Sequence, residues 1–125
     1  MSKFDSIRFY RDDEVQPALQ SISQHPMMKS LIEYTFPDYT EDQIKDLFSN
    51  IHSIRDFQSK IIYFTLQRVL KNSSDGLFGE GFEKLDPNTS YLFISNHRDI
   101  LLDTSLLNVL LYENGKIMTG SAVGD

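Results

Sequence analysis

The segment YLFISNHRDILLD, residues 91–103, decides the fold that we expect for this chain. Its first four residues, 91–94, are apolar and partly aromatic or β-branched, and the turn-forming segment DPNTS, residues 86–90, precedes them. This pattern predicts a short buried strand. Polar and ionisable residues follow from Ser95 to Asp99. The chemistry of the chain is therefore concentrated where this strand would end.

A helix and a second strand are expected after this segment. Eight apolar residues cover most of the circumference of a helix between positions 100 and 111, namely Ile100, Leu101, Leu102, Leu106, Leu107, Val109, Leu110 and Leu111. Gly115 would end the helix as a left-handed cap, and the segment KIMT, residues 116–119, predicts a second strand. Strand, helix and strand form a βαβ unit, so the sequence predicts an α/β fold. In such units reactive groups lie at the carboxyl end of a strand, which is where His97 falls.

Four helices are expected before this βαβ unit. Apolar residues recur at helical spacing in four stretches, which are Val15 to Ile22, Met27 to Ile32, Ile44 to Ile51 and Ile54 to Leu70. Thr40 and Gln43 form a capping box at the start of the third. We therefore predict two domains, a four-helix bundle over residues 1–72 and, over residues 73–125, the truncated first βαβ part of a larger α/β domain.

Composition limits the partners and the location of the chain. Its net charge of −6 makes nucleic acid a poor partner, because binding nucleic acid requires a basic surface. It contains no cysteine, which excludes a disulfide framework and a thiolate metal site and suits a reducing compartment. The sequence shows no signal-peptide pattern and no apolar stretch long enough for a membrane-spanning helix. We expect a cytoplasmic protein, or one that is peripheral at a membrane surface. The apolar run at residues 61–64 predicts a central helix of the bundle, and contact with a membrane or a second domain is the alternative.

His97 is the candidate catalytic base. Neutral imidazole accepts a proton near pH 7 when a carboxylate holds its other nitrogen, and Asp99 and Asp103 both lie close in sequence. Asp99 would cap a helix that begins at Ile100. Asp103 would stand among leucines and needs a polar partner, so we predict a ring nitrogen of His97 within roughly 3 Å of its carboxylate. The alternative is that Asp99 contacts His97 and Asp103 is solvated.

Two other motifs are present only in part. The segment HRDI, residues 97–100, also begins the catalytic loop of protein kinases, but Thr104 stands where that loop has asparagine. The segment GEG, residues 79–81, lacks the third glycine of a phosphate-binding loop. We interpret both as coincidences.

The segments GFEKL, residues 81–85, and YLFISNH, residues 91–97, resemble the lead-in and first motif of the glycerolipid acyltransferases. This family contains the lysophosphatidate and glycerol-3-phosphate acyltransferases, whose first motif is a histidine followed by an aspartate. The resemblance covers residues 79–120. Five residues separate His97 from Asp103, whereas the family usually has four, so Asp99 stays open as the acidic partner.

The resemblance implies transfer of a fatty acyl group from acyl-CoA or acyl-carrier protein to a hydroxyl of glycerol phosphate or a lysophospholipid, in phospholipid synthesis. His97 would be the general base and Asp103 would orient it, with Asn96 and Arg98 in substrate binding. Neither a metal nor a cofactor other than the acyl thioester co-substrate is expected.

The later motifs of the family, a phosphate-binding arginine and a Glu-Gly segment, would lie beyond Asp125. We therefore expect the N-terminal part of a longer enzyme, inactive alone. The alternative function is a non-catalytic helical docking or regulatory module of a larger protein.

Overall fold

Helices form most of the N-terminal half of the chain in the computed structural model, which describes residues 2–121. They are α1 (Asp12–Ile22), α2 (Pro26–Thr35), α3 (Glu41–Ser49) and a longer helical run, which consists of α4 (Ile54–Phe57), a π-helical turn (Gln58–Ile62) and α5 (Tyr63–Ser73). The positions of the four predicted helices are confirmed. The π-helical turn within the fourth was not predicted, because apolar spacing does not distinguish it from an ordinary helical turn.

Side-chain caps explain where two of these helices begin. At the start of α3, Thr40 Oγ1 accepts from the backbone N–H of Gln43 at 3.3 Å, and Gln43 Oε1 accepts from the backbone N–H of Thr40 at 2.8 Å. This is the predicted capping box. At the start of α4, Ser53 Oγ accepts from the backbone N–H of Asp56 at 3.0 Å. These bonds satisfy N–H groups that have no partner within the helix.

Contacts divide the chain into two compact units, Met1–Thr65 and Leu66–Asp125, with the boundary inside α5. The first unit packs around a buried cluster of five apolar residues, Val15, Leu19, Ile32, Ile51 and Ile61. In the same unit Gln16 Nε2 donates to the carbonyl oxygens of Phe48 and Ile51, at 2.8 and 2.5 Å, which ties α1 to the end of α3. The predicted domain boundary at residue 72 stays a prediction.

The second unit contains a short 3-10 turn (Phe82–Lys84) and the helix α6 (Leu102–Glu113), whose Val109 and Leu111 are buried. Gly115 follows α6 with a φ of 68°, a left-handed conformation that glycine adopts without strain. The backbone N–H groups of Gly115 and Lys116 donate to the carbonyls of Tyr112 and Leu111, at 3.1 and 2.8 Å. This is a Schellman ending, and it confirms the predicted glycine cap.

The predicted α/β fold is wrong, because no strand is present within residues 2–121. Residues 91–94 have no regular secondary structure, and Leu92 and Ile94 are 86% and 88% exposed rather than buried. The second predicted strand, residues 116–119, is also absent. The backbone N–H of Thr119 donates to the side chain of Asn108 at 2.6 Å, not to a neighbouring strand. A strand requires such a neighbour, and within the described range neither segment has one.

Candidate functional site

His97 and Asp103 are in contact at the start of α6. The His97 Nδ1 atom lies 3.1 Å from Asp103 Oδ2, within hydrogen-bond reach. The His97 side chain is 65% exposed, whereas that of Asp103 is only 24% exposed. The ring is therefore accessible to a substrate, and the carboxylate that contacts it is largely shielded. The predicted distance between these two side chains is confirmed.

The Asp103 carboxylate is fixed by the backbone that precedes it. Its Oδ2 atom accepts from the backbone N–H of Arg98 at 2.6 Å and from that of Asp99 at 3.0 Å. The bond from the Asp99 N–H, with that from Arg98 and the proximity of His97, holds the pKa of the Asp103 carboxyl below its ordinary value. Asp103 is consequently ionised at neutral pH. An ionised carboxylate accepts a hydrogen bond from an imidazole N–H more strongly than a neutral carboxyl group does.

Asp99 has a different role from Asp103. Its Oδ1 atom accepts from the backbone N–H groups of Leu101 and Leu102, at 2.9 and 2.8 Å, at the start of α6. Asp99 therefore satisfies N–H groups at the start of this helix, as predicted, but the N-cap position belongs to Leu101, because the helix begins two residues later than expected. The alternative, in which Asp99 contacts His97 and Asp103 faces solvent, is wrong.

The contact with Asp103 determines which tautomer the neutral His97 ring adopts. An ionised carboxylate only accepts hydrogen bonds, so Nδ1 of a neutral His97 ring must carry the proton that it donates to Asp103. The Nε2 atom then has a free lone pair. Because His97 is mostly exposed, this lone pair is available to accept a proton from a hydroxyl group. This geometry would suit a general base with an orienting carboxylate.

The remaining predicted site residues are not brought into this cluster. The side chains of Asn96 and Arg98 are exposed, and neither has a hydrogen bond or an ion pair among residues 2–121. Only the backbone N–H of Arg98 contributes, through its bond to Asp103. Sequence reasoning missed this backbone role, because the pattern of side chains carries no signal for a backbone donor. The proposed substrate-binding roles of Asn96 and Arg98 stay predictions.

The segment that leads to the site is ordered by a polar turn around Asp86. Its carboxylate accepts from the backbone N–H of Asn88 at 2.9 Å and from the hydroxyl of Thr89 at 3.0 Å, and these bonds lower its pKa. The backbone N–H of Asp86 donates to the hydroxyl oxygen of Tyr91 at 2.9 Å. This bond ties Tyr91, the first residue of the segment that carries His97, to the turn.

Two cavities are formed by other residues. One, of about 270 Å³, lies in the second unit between α5 and α6 and includes Lys71, Asp75 and Glu113 in its lining. The other, of about 860 Å³, lies in the first unit among α1, α2 and α3. Neither includes His97 in its lining. Within residues 2–121, no group of three or more side chains is arranged to hold a metal ion.

Comparison with known proteins identifies no relative. No protein-family model, curated protein or solved structure matches this chain. The resemblance to glycerolipid acyltransferases therefore stays a prediction. In the part of the chain that the structure describes, no helix is both long and apolar enough to cross a membrane.

Proposed function

We propose that this chain carries the catalytic base of an enzyme that transfers a fatty acyl group from a thioester to a hydroxyl of glycerol phosphate or a lysophospholipid. The observation that carries the proposal is the 3.1 Å contact between His97 Nδ1 and Asp103 Oδ2, made beside an exposed imidazole. The reaction class comes from the acyltransferase resemblance of residues 79–120. The donor would be acyl-CoA or acyl-carrier protein.

In the proposed reaction the Nε2 atom of His97 accepts the proton of the acceptor hydroxyl. The hydroxyl oxygen then forms a bond to the thioester carbonyl carbon, the carbon–sulfur bond breaks, and the thiolate leaves with the proton that His97 returns. Asp103, ionised throughout, stabilises the imidazolium that exists between these two proton transfers. General-base catalysis of this kind contributes about 10²–10⁴-fold to the rate.

We further propose a cytoplasmic location, with the enzyme acting at a membrane surface where its lipid substrates reside. In this proposal Arg98, whose guanidinium is exposed and without an ion pair among the described residues, binds a phosphate group of donor or acceptor. Asn96 would contact the acceptor beside the base. The enzyme requires no cofactor in this scheme beyond the acyl thioester co-substrate.

The test follows thiol release from acyl-CoA and acyl-carrier protein, with glycerol 3-phosphate and lysophosphatidate as acceptors. It uses the product of the complete open reading frame that encodes residues 1–125, and residues 1–125 alone. We expect His97→Ala to lower the rate of the complete product by about 10²-fold or more, and residues 1–125 alone to stay at background. A folded His97→Ala protein that keeps the wild-type rate would refute the proposal.

A non-catalytic docking or regulatory module is the second candidate, and the large cavity in the first unit supports it. That cavity of about 860 Å³ lies among three helices and is lined by apolar residues such as Met28, Phe36 and Phe48 together with polar ones, as binding grooves for protein segments are. If this candidate is correct, the thiol-release assay stays at background for both proteins.

A further inference from the structure

Residues 91–94 combine an exposed apolar face with a backbone that has no hydrogen-bond partner. Leu92 and Ile94 are mostly exposed, whereas Tyr91 and Phe93 are less than half exposed and their ring centroids lie 6.5 Å apart. An extended chain produces this alternation, because its successive side chains point to opposite faces. Among residues 2–121, no hydrogen bond is made by a backbone N–H or carbonyl group of residues 91–97. The segment therefore alternates as a strand does but has no strand beside it.

Two features distinguish this segment from the other exposed apolar parts of the chain. Residues 88–97 contain no charged residue and no proline, the two means by which proteins usually prevent an exposed segment from pairing. Residues 2–10 contain three charged residues, and bonds such as that from the Ile7 N–H to the Phe4 carbonyl, at 3.1 Å, already close them into turns. Residues 100–101 follow two charged residues and lead directly into α6. Only residues 91–94 among these are both uncharged and free in their backbone.

The charges at the two ends of the segment favour a second copy of the same chain as its partner. Asp86 is the first charged residue before the segment, and Arg98 is the first after it. The Arg98 side chain has no ion pair among the described residues. An antiparallel pair of identical segments brings each Arg98 to the end where Asp86 of the other copy lies. A parallel pair would bring like charges together, which is unfavourable.

We propose that residues 91–95 of two chains pair as antiparallel strands across a two-fold axis. Residues that stand opposite each other in such a pair share one face of the sheet. The register that covers both exposed side chains places Leu92 opposite Ile94 of the other copy, and Phe93 opposite Phe93. The backbone N–H and carbonyl groups of both segments then gain partners. Each chain contributes the same surface, so the dimer is closed and symmetric.

The size of the second unit limits this pairing to two chains. The segment belongs to the unit Leu66–Asp125, and a compact unit of this length has a radius of gyration of about 10 Å. In a larger antiparallel sheet, chains of the same direction would recur about every 9.5 Å, which is too close for such units. Strands this short bury less than the roughly 1,200 Å² of a standard interface, so the dimer belongs to the weak, concentration-dependent class.

Pairs of introduced cysteines test the register. The chain contains no cysteine, so each introduced thiol reports on a single position. Chains with Leu92→Cys, mixed with chains with Ile94→Cys and oxidised, should form a disulfide-linked dimer. Opposite residues lie about 4.5–5.5 Å apart at Cα, which a disulfide can span. Neither variant alone should cross-link, because identical positions lie about 7–8 Å apart on the diagonal. A mixture of Ile100→Cys and Leu101→Cys chains, at two equally exposed positions, is the matched control and should give no linked dimer.

An exchange of charges tests the pairing without a covalent bond. Sedimentation equilibrium should show that wild-type chains associate as their concentration rises. The double variant Leu92→Lys with Ile94→Lys puts like charges opposite each other and should stay monomeric, as should Leu92→Glu with Ile94→Glu. An equimolar mixture of the two double variants should associate again. Both side chains are mostly exposed, so the variants should keep the fold.

Several results would overturn the proposal. They are wild-type chains that stay monomeric, a lysine variant that still associates, and cross-linking to the same extent with and without mixing. The product of the complete open reading frame should also associate. If that product stays monomeric while residues 1–125 alone form dimers, a segment outside residues 1–125 covers residues 91–95, and the proposal is wrong.

Discussion

The backbone N–H of Arg98 donates to Asp103 Oδ2 at 2.6 Å, so the carboxylate from the first turn of α6 holds the loop that carries His97. The Asp99 N–H adds a second bond to the same oxygen at 3.0 Å. Asp103 therefore contacts the histidine and also shapes the backbone beside it. A change at Asp103 should alter both the tautomer of the ring and its position.

The first prediction concerns Asp103→Asn. An amide has no charge, so its oxygen accepts more weakly from the His97 ring than the carboxylate does, and its NH₂ group, when it faces the ring, cannot accept from Nδ1. We expect the rate of acyl transfer to fall by about 10²–10⁴-fold, the range that general-base catalysis supplies. Long-range ¹H–¹⁵N spectra of the imidazole should show the proton on Nδ1 in the wild type and a mixture of tautomers in the variant.

The control for this prediction is Asp99→Asn, which keeps an oxygen acceptor for the cap of α6 and does not touch the His97 ring. It should retain the wild-type tautomer and rate. Equal losses in Asp99→Asn and Asp103→Asn would mean that the loop as a whole, and not the contact with His97, determines the rate.

The second prediction concerns the cap of α6. Asp99→Ala removes the acceptor of the Leu101 and Leu102 N–H groups, and loss of such a cap costs about 1 kcal/mol. Amide exchange in the first turn of α6 should accelerate by roughly five-fold, the factor that this free energy corresponds to. Asp99→Asn and Asp99→Ser should exchange at nearly the wild-type rate. Unchanged exchange in Asp99→Ala would show that the cap does not stabilise α6.

Much of the helical structure could be predicted because its signals are local. Apolar spacing and the capping box of Thr40 and Gln43 located the helices, and Gly115 marked the end of α6. The contact of His97 with Asp103 was also predictable, since a carboxylate near leucines at the start of a helix needs a nearby polar partner. The backbone N–H groups that donate to Asp103 could not be predicted, because no side-chain pattern marks them.

The strands could not be predicted correctly because a strand is not a local structure. Apolar and β-branched residues at 91–94 favour a pleated, half-buried surface, but pairing must come from another segment. Within residues 2–121 no such segment pairs with them, and Leu92 and Ile94 are exposed. In residues 116–119, the backbone N–H of Thr119 donates to the side chain of Asn108 and not to a neighbouring strand. The sequence pattern alone could not show whether either segment pairs with another strand.

The third prediction is a pH dependence of stability from Glu14. The two bonds from Arg8, with one from the backbone N–H of Arg11 at 2.7 Å, lower the pKa of the Glu14 carboxyl from 4.5 to about 2. A carboxyl whose pKa is lower in the folded state stabilises the fold above its ordinary pKa. This contribution should disappear as the pH falls from about 4.5 to about 2.

Urea unfolding at a series of pH values measures this contribution, and Glu14→Gln should flatten the profile in that window. Arg8→Met is the matched variant, because it removes the largest cause of the shift and leaves the carboxyl in place. In Arg8→Met, carboxyl NMR titration should show the pKa of Glu14 moving back towards its ordinary value. A Glu14 pKa that is the same in Arg8→Met and the wild type would contradict the assignment.

The fourth prediction concerns two hydroxyl groups in the first unit. Thr35, which is 8% exposed, has its Oγ1 atom 2.7 Å from that of Thr65, and Thr65 Oγ1 donates to the Ile61 carbonyl at 3.0 Å. The Thr65 hydroxyl has only one proton, which it donates to Ile61, so Thr35 is the donor in the pair.

Thr65→Val leaves the buried Thr35 hydroxyl without its acceptor, at a cost of about 1–3 kcal/mol. Thr35→Val leaves Thr65 bonded to Ile61 and should cost less. The double variant should be more stable than the sum of the single losses implies, because no unpaired hydroxyl is left. Free energies of unfolding from urea titrations of all four proteins test this, and strictly additive losses would show that the two hydroxyl groups are not coupled.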